Sequence, residues 1–276
     1  MAQLLKNQPY LNTEKHWDND EMLLMQCKAM NEQKGNLKGY DCPKCKNKGY
    51  IYVNDEENLS QKTIPCDCRK IRENYNRMRR SGLGDLAERY TFNSFKTDTP
   101  LQRQMKEKAL KFTKEAKARN GVWLFVGGMS GSGKTHICTA ISNELSNSAL
   151  NVKYLKWAEE ATKIKSVVND RDEYEKLVAP LKNCDVLYVD DFFRPAKDEY
   201  GKGRPPSQAD IRLAYEILNY RYNLNDTITI ISSEQSLDEI IDLDTAIGGR
   251  INQRAEGYIM NISNRKENNY RLRKNK

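Results

Sequence analysis

A nine-residue stretch of this sequence has the residue types and the spacing to bind phosphate. It reads GGMSGSGKT from Gly127 to Thr135 and fits the pattern GxxxxGKS or GxxxxGKT without a mismatch. Glycines at this spacing let consecutive backbone N–H groups surround phosphate oxygens, and a following helix adds the partial positive charge of its N-terminus. We predict that Lys134 contacts the β- and γ-phosphates of a nucleoside triphosphate and that Thr135 holds Mg²⁺. The predicted nucleotide contacts in this stretch are Gly128, Ser130, Gly131, Ser132, Gly133, Lys134, Thr135 and His136.

Two adjacent carboxylates follow an apolar segment later in the chain, in the stretch CDVLYVDDFF. Asp190 is predicted to complete the Mg²⁺ site, and Asp191 is predicted to orient or activate the attacking water. The alternative is a pair of acids in a surface turn. An apolar strand that ends in acids after a phosphate-binding loop favours the nucleotide interpretation.

Four of the seven cysteines occur in two closely spaced pairs near the N-terminus. Cys42 and Cys45 form a CxxC, and Cys66 and Cys68 form a CxC. The segment between them has the pattern of a β-hairpin, which would bring both pairs to its open end. Four thiolates complete a tetrahedral Zn²⁺ site with no open position, so the predicted role of the metal is structural. Unmetallated thiols are the main alternative, and His16 is a weaker candidate ligand.

The elements around these residues alternate between strands and helices. Apolar segments at 122–126, 152–157, 227–233 and 257–262, together with the strand before Asp190, are separated by helical patterns. This order predicts an α/β domain with a parallel sheet between helices. An amphipathic helix is expected from about Leu11 to Lys34, and Cys27, Cys138 and Cys184 are expected to be packing residues.

Composition and charge predict two domains and an anionic partner. The 276 residues exceed the usual size of one compact unit, and a break at Ser81–Gly84 divides them into 1–80, the zinc-ribbon-like module, and 81–276. The formal charge of +8 suits nucleic acid, although an ordinary basic surface is the alternative. Because the chain has neither an N-terminal signal segment nor a long apolar run, we expect a cytoplasmic protein with no membrane partner.

The order of motifs resembles that of the AAA+ ATPases of the DnaC/DnaI helicase-loader and IstB group, over roughly residues 85 to 276. The resemblance rests on the two nucleotide motifs, on ISSEQSLDEI, on GGRINQRAEG and on the closing NNYRLRK. It implies that Arg250 and Arg254 are catalytic arginines, with Arg254 reaching the nucleotide of a neighbouring subunit. It also implies that Arg271 and Ser233 sense the nucleotide. Glu234 departs from the residues usual at this position.

The resemblance also implies a function. The cysteine-rich module is similar to the DnaI side of the group, in which such a domain binds the replicative hexameric helicase. The expectation is therefore a homo-oligomeric helicase loader that uses ATP, Mg²⁺ and Zn²⁺ and delivers the helicase to single-stranded DNA. Lys163 and Lys165 are candidate DNA contacts, and the loop at 194–207 is a candidate partner-binding segment. Asp191 in place of the more common Glu implies slow ATP hydrolysis.

Two other functions remain open from the sequence alone. An IstB-like transposition helper would bind duplex DNA, and the cysteine-rich module argues against it. A zinc-ribbon adaptor would use its nucleotide site only for structure, and the intact pair of nucleotide motifs argues against that. Preference for single-stranded or duplex DNA separates the first alternative from a loader.

Overall fold

The computed structural model describes residues 19–38, 40–55, 58, 60–78, 84–118, 121–148, 150–194, 196–197 and 203–272. The chain separates into two compact units, Met1–Arg69 and Lys70–Lys276. The division predicted between residues 80 and 81 stays a prediction. His16 and most of the linker predicted at Ser81–Gly84 lie outside the described residues, as do Pro195 and residues 198–202 of the predicted loop.

The N-terminal unit consists of a helix and a hairpin. Helix α1 spans Asn19–Glu32, and strands β1 (Tyr50–Asp55) and β2 (Ser60–Pro65) pair antiparallel from Tyr50 opposite Pro65. The side chain of Asn31 joins α1 to β1 because it both donates to the Tyr52 carbonyl and accepts from the Tyr52 N–H, each at 2.9 Å. The predicted hairpin is present. The helix predicted from Leu11 is described from Asn19 onward.

The second unit is built on a five-stranded sheet. Its strands are β3 (Trp123–Gly128), β4 (Val152–Lys156), β5 (Val186–Asp190), β8 (Ile228–Ser232) and β9 (Ile259–Ile262). They lie in the order β4-β5-β8-β3-β9, and every neighbouring pair is parallel. The predicted parallel sheet is therefore confirmed. Parallel strands bring their carboxyl ends to one edge of the sheet, which is where such folds bind ligands.

Helices cover both faces of this sheet. The helices of this unit are α3 (Gly84–Arg89), α4 (Pro100–Lys117), α5 (Lys134–Asn147), α6 (Trp157–Ser166), α7 (Arg171–Asn183), α8 (Gln208–Tyr222), α9 (Leu237–Leu243) and α10 (Thr245–Arg254), and α2 (Cys68–Met78) spans the division between the two units. Along β3, Leu124 and Val126 point into a core with α4 and α5, whereas Trp123 and Phe125 point into a core with α6, α7, α8 and α10. A strand that is apolar on both sides is what a sheet between two helical layers requires.

Shorter elements join these layers. Two-residue strands β6 (Ala196–Lys197) and β7 (Gly203–Arg204) pair antiparallel between β5 and α8. The segment after β4, which carries Lys163 and Lys165, forms two helices, α6 and α7, and the Asp170 side chain caps α7 by accepting from the Glu173 N–H. None of the described helices is both long and apolar enough to cross a membrane.

Candidate functional site

The predicted phosphate-binding loop connects β3 to α5 at the carboxyl edge of the sheet. Gly128 has a φ of 100°, and a Cβ added there would lie 2.1 Å from the Ile262 carbonyl oxygen on β9. Gly131 has a φ of 72°, and a Cβ there would lie 2.4 Å from the Asn269 Oδ1. Both positions favour glycine, because the left-handed backbone and the close neighbours leave no room for a side chain. These glycines thus let the loop pass close to β9 and to the C-terminal segment.

Lys134 is buried within this loop. Its Nζ donates to the carbonyl oxygens of Gly128 and Met129, each at 2.8 Å. Burial lowers the pKa of Lys134, whereas the charges of Glu234 and Asp191 act in the opposite direction. The ammonium is therefore held by neutral carbonyls, which a phosphate oxygen replaces at a gain in electrostatic attraction.

Asp190 ends β5 and accepts several hydrogen bonds at once. The Tyr188 hydroxyl donates at 2.9 Å and the Tyr154 hydroxyl at 3.0 Å, and the Ser232 hydroxyl donates as well. Burial raises the pKa of both tyrosines, and the neighbouring carboxylate of Asp190 raises it further. These phenols remain protonated donors, so they fix the orientation of the carboxylate.

The residues predicted to hold Mg²⁺ lie together. The Thr135 hydroxyl is 3.4 Å from the Asp190 Oδ1, and Asp190 is 95% buried, with an exposed fraction of 5%. A hydroxyl and a carboxylate oxygen are the ligand types that Mg²⁺ takes beside phosphate oxygens and water. The donor set therefore fits the ion.

Asp191 adopts an unusual backbone conformation directly after the strand. Its φ is 53°, and that of Phe193 is 51°, both in the left-handed region that few residues other than glycine adopt. The buried rings of Phe192 and Phe193 stack at 4.0 Å and pack against Trp157, which anchors this turn. The Asp191 carboxylate accepts from Arg194 at 2.8 Å.

Aromatic residues that the sequence analysis missed surround His136 in the same cavity, which has a volume of about 420 Å³. The His136 ring stacks on Tyr90 at 4.4 Å and meets the edge of Phe95 at 5.1 Å. Its Nε2 lies 3.2 Å from the Ser94 Oγ and 3.1 Å from the Thr91 carbonyl oxygen. Burial lowers the pKa of His136, and the contact with the Thr91 carbonyl opposes this shift. The run of aromatic residues in RYTFNSF, ahead of α4, was the available signal.

The C-terminal segment closes onto the phosphate-binding loop. The Tyr270 N–H donates to the Gly131 carbonyl at 2.9 Å, and a Cβ added at Gly133 would lie 3.4 Å from the Tyr270 ring. Arg271 lines the cavity beside Lys134 and Thr135. The structure therefore brings the predicted nucleotide-sensing arginine to the phosphate end of the site.

The structure does not bring every predicted residue to this cavity. Ser233 is fully buried, and its hydroxyl donates to the Phe192 carbonyl at 2.7 Å. The expectation that Ser233 faces the nucleotide is therefore not met, and Glu234 lines the cavity in its place. Ser132 is also buried, and its Oγ has no hydrogen-bond partner within the described chain. Gly128 lines a neighbouring cavity between the loop and β9, and Ser130 lines both cavities.

Arg250 and Arg254 lie on α10, away from the cavity of their own chain. Arg254 donates to the carbonyl oxygens of Tyr222 and Leu224, the latter at 3.0 Å. Arg250 donates to the Asn219 Oδ1 at 3.0 Å and lies over the Tyr215 ring at 4.9 Å. Within the part of the chain that the structure describes, neither guanidinium forms an ion pair.

The four predicted zinc ligands converge at the open end of the β1–β2 hairpin. The sulfur atoms all lie within 4.8 Å of one another, with 3.8 Å between Cys42 and Cys66 and 3.4 Å between Cys45 and Cys68. Zn–S bonds of about 2.3 Å in a tetrahedron place sulfurs ~3.8 Å apart, so this cluster fits the ion. Burial raises the pKa of Cys45, but the Gly49 N–H and the other thiols outweigh it and lower the pKa to about 6.

The lysines predicted to contact DNA are already in ion pairs. The Lys163 Nζ lies 2.6 Å from a carboxylate oxygen of Glu160 on the same helix. Lys165 pairs with Asp210 and so joins α6 to the start of α8. The Lys165–Asp210 pair therefore has a structural role, whereas Lys163 is mostly exposed.

Comparison with known proteins identifies the family. The model of the bacterial DnaA ATPase domain matches residues 86–254, which include both nucleotide motifs and α10. The chain belongs to the family of the bacterial DnaA ATPase domain. The predicted relationship to DnaC/DnaI-type AAA+ ATPases is thereby confirmed, as is the AAA+ fold class.

Individual relatives from this group differ in how much of their length the chain covers. It is 31% identical over 217 residues to YqaM of Bacillus subtilis, covering 75% of this chain and 66% of YqaM. It is 32% identical over 233 residues to the phage-like element PBSX protein XkdC of the same strain, covering 81% of this chain and 82% of XkdC. It is 26% identical over 134 residues to the replicative helicase loader DnaC of Escherichia coli, covering 48% of this chain and 53% of DnaC.

A solved structure of DnaI resembles the chain at the level of the fold. The TM-score is 0.51 at 20% sequence identity, and the match covers 65% of this chain and 93% of DnaI. At this identity the likeness concerns the fold alone.

Proposed function

We propose that this protein is an ATP-dependent loader of a replicative hexameric helicase. Residues 1–80 bind the helicase, and residues 81–276 bind ATP, assemble with further copies and contact single-stranded DNA. ATP binding favours the assembled loader, and hydrolysis releases it. The observation that carries this proposal is the convergence of the phosphate-binding loop, Asp191 and Arg271 on one cavity, with Asp190 beside Thr135, in a chain related to the E. coli helicase loader DnaC.

ATP enters with its phosphates at the loop between β3 and α5. Lys134 exchanges its carbonyl partners for β- and γ-phosphate oxygens, and the N–H groups from Gly131 to Thr135 donate to the same oxygens. Thr135 and Asp190 hold Mg²⁺, which neutralises part of the phosphate charge. The base lies toward Tyr90 and His136, where stacking on aromatic rings stabilises a purine.

Hydrolysis requires a water molecule in line with the γ-phosphorus. Asp191 accepts a hydrogen bond from this water, which attacks phosphorus as the bond to the β–γ bridging oxygen breaks. The products are ADP and inorganic phosphate. Because Asp191 is shorter than the glutamate more common at this position, we expect turnover by the isolated protein to be slow.

Assembly supplies charge that one chain lacks. Arg250 and Arg254 are partly exposed one helical turn apart on α10, and their described contacts are to carbonyl oxygens, an amide and tyrosine rings. Two cations without a carboxylate partner suit the phosphates bound by a second copy. We therefore propose that Arg254, with Arg250 beside it, acts on the nucleotide of the neighbouring subunit.

The decisive experiment measures complex formation with the replicative helicase. The full chain is mixed with the helicase of its host in ATP and in ADP, and mass is measured by size-exclusion chromatography with light scattering. Matched variants are Lys134→Ala in the nucleotide site and Cys42→Ser with Cys45→Ser in the cysteine cluster. We expect a stable complex in ATP, loss of nucleotide dependence in the first variant and loss of the complex in the second.

Each other outcome points to a different function. No complex in either nucleotide, together with tighter binding to duplex than to single-stranded DNA, would overturn the loader in favour of a transposition helper. A complex whose formation and release are unchanged in a folded Lys134→Ala variant would support the adaptor, in which the nucleotide is only structural. Neither result is compatible with the proposed switch.

A further inference from the structure

The phosphate end of the cavity brings acidic and basic side chains close together. Asp190, Asp191 and Glu234 converge there, and the cations that face them are Lys134 and Arg194. The Lys134 Nζ donates its hydrogen bonds to backbone carbonyls. Arg194 is thus the cation that directly pairs with carboxylates in this part of the described site.

Arg194 joins two carboxylates from different elements. Its Nη1 lies 2.8 Å from the Asp191 Oδ2, after β5, and its Nε lies 3.7 Å from the Glu234 Oε2, after β8. The charge of Asp191, and less strongly that of Glu234, raises the pKa of Arg194, so the guanidinium is charged in all ordinary conditions. The Arg194 N–H also donates to the Asp191 carbonyl at 3.0 Å, which closes the turn that Phe192 and Phe193 anchor.

This ion pair is built to exchange. The side chain of Arg194 is 51% exposed, and those of Asp191 and Glu234 are 23% and 28% exposed. A pair with this exposure contributes little to stability because water solvates both charges. The anchored turn fixes the backbone of Arg194, whereas its side chain lines the same cavity as Lys134 and Thr135. A phosphate group offers the same guanidinium two oxygens in a bidentate geometry.

We propose that Arg194 is a phosphate-binding residue that acts within its own subunit and recognises the terminal phosphate of ATP. In the nucleotide-free protein it joins Asp191 to Glu234. When ATP is bound, its guanidinium donates to γ-phosphate oxygens and leaves the Asp191 carboxylate free to accept from the attacking water. Glu234 competes with the phosphate for Arg194, so it weakens ATP binding. This proposal rests on the proposed ATPase function and adds a residue that distinguishes ATP from ADP.

The test compares equilibrium binding of a non-hydrolysable ATP analogue and of ADP to the full-length protein, measured by isothermal titration calorimetry with Mg²⁺. The variants are Arg194→Ala, Arg194→Lys and Glu234→Gln. Arg171→Ala is the control, because Arg171 is an exposed arginine at the start of α7 that does not line the cavity.

We expect Arg194→Ala to lower the affinity for the ATP analogue about 10- to 100-fold, because a charge-assisted bidentate contact is lost. The affinity for ADP should fall by less than about threefold. Arg194→Lys keeps the charge and should recover part of the loss. Glu234→Gln should raise the affinity for the ATP analogue by a few-fold, because it removes the carboxylate that competes for Arg194. These opposite signs are the signature of the proposed exchange, and the control should match the unaltered protein.

The proposal would be overturned if Arg194→Ala lost equal affinity for the ATP analogue and for ADP, or lost affinity for neither. So would faster hydrolysis with unchanged ATP affinity, since Arg194 would then only restrain Asp191. If the unaltered protein binds neither nucleotide, the ATPase function itself fails, which is a different result. Thermal unfolding of Arg194→Ala should match the unaltered protein, because the pair is half exposed.

Discussion

The N-terminal unit depends on its cysteines for nearly all of its buried structure. Among its described residues, the buried ones are Cys27, Cys42, Cys45, Gly49, Cys66 and Cys68. No aliphatic or aromatic side chain of the described part of this unit is buried, and Tyr40 and Ile51 are only partly covered. A two-stranded hairpin without an apolar core is at best marginally stable. We therefore predict that zinc provides the stability of this unit.

The expected effect of zinc removal is large. Structural zinc in small domains contributes about 10–16 kcal/mol of apparent binding free energy near neutral pH, which is as large as the ~5–15 kcal/mol that stabilises a typical whole domain. Removal with a chelator should unfold the hairpin completely, whereas the sheet of the ATPase unit should remain intact. The assay is hydrogen–deuterium exchange of the intact protein, read separately for β1 and β2 and for β3, β5 and β8.

A matched pair of variants identifies the ligands. Cys45→Ser should lose zinc and hairpin protection, and Cys27→Ala should keep both, because Cys27 is buried in the same unit but lies outside the four-sulfur cluster. Native mass spectrometry should find one zinc ion per chain. Hairpin amides that stay protected after chelation, or zinc lost from Cys27→Ala, would refute this account of the unit.

Three further predictions concern the ATPase unit. Arg221→Met should lower the free energy of unfolding of this unit, measured in urea, by at least about 3 kcal/mol. The buried guanidinium donates to Thr229 and to four backbone carbonyls, which would lose their partner. An unchanged free energy of unfolding would contradict this. Gly131→Ala should weaken nucleotide binding and cost about 1–2 kcal/mol for the left-handed backbone alone, and adding Asn269→Gly should relieve the clash but not the backbone cost. Burial lowers the pKa of His136 in the folded protein. Its contribution to the free energy of unfolding is therefore complete above the unfolded pKa of ~6.5, and it is lost as the pH falls through the lower folded pKa. The decline from pH 7.5 to 5 should be shallower in His136→Gln, and equal slopes would contradict the assignment.

Local patterns were sufficient for part of the site. The glycines before Lys134 and the two acids at the end of β5 are recognisable from neighbouring residues alone, so a single sequence predicts them. The two cysteine pairs are local in the same sense, and the hairpin between them needed only a turn and alternating strands. The sheet followed from the alternation of elements, because parallel strands need crossover helices.

Other parts of the site depend on contacts between distant segments. Tyr154 and Asp190 are brought together by the β4–β5 pairing, and Tyr90 meets His136 only after the segment before α4 has packed against α5. The position of Glu234 rather than Ser233 at the cavity has a similar cause. Strand β8 ends at Ser232, so the alternation of side chains that assigns one residue to each face no longer applies to the next two.

The adjacent acids Asp190 and Asp191 lie in two different environments, which match the two functions that we propose for them. Asp190 is the last residue of a buried strand, and two buried phenols and a serine hydroxyl hold its carboxylate in place. Asp191 leaves the strand with a left-handed backbone, and its described partner is a half-exposed arginine. A metal ligand gains from a fixed position, because a preformed site does not need to be ordered when the ion binds. A group that orients water gains from a partner it can release, so the difference in burial between the two carboxylates matches the two roles that we propose for them.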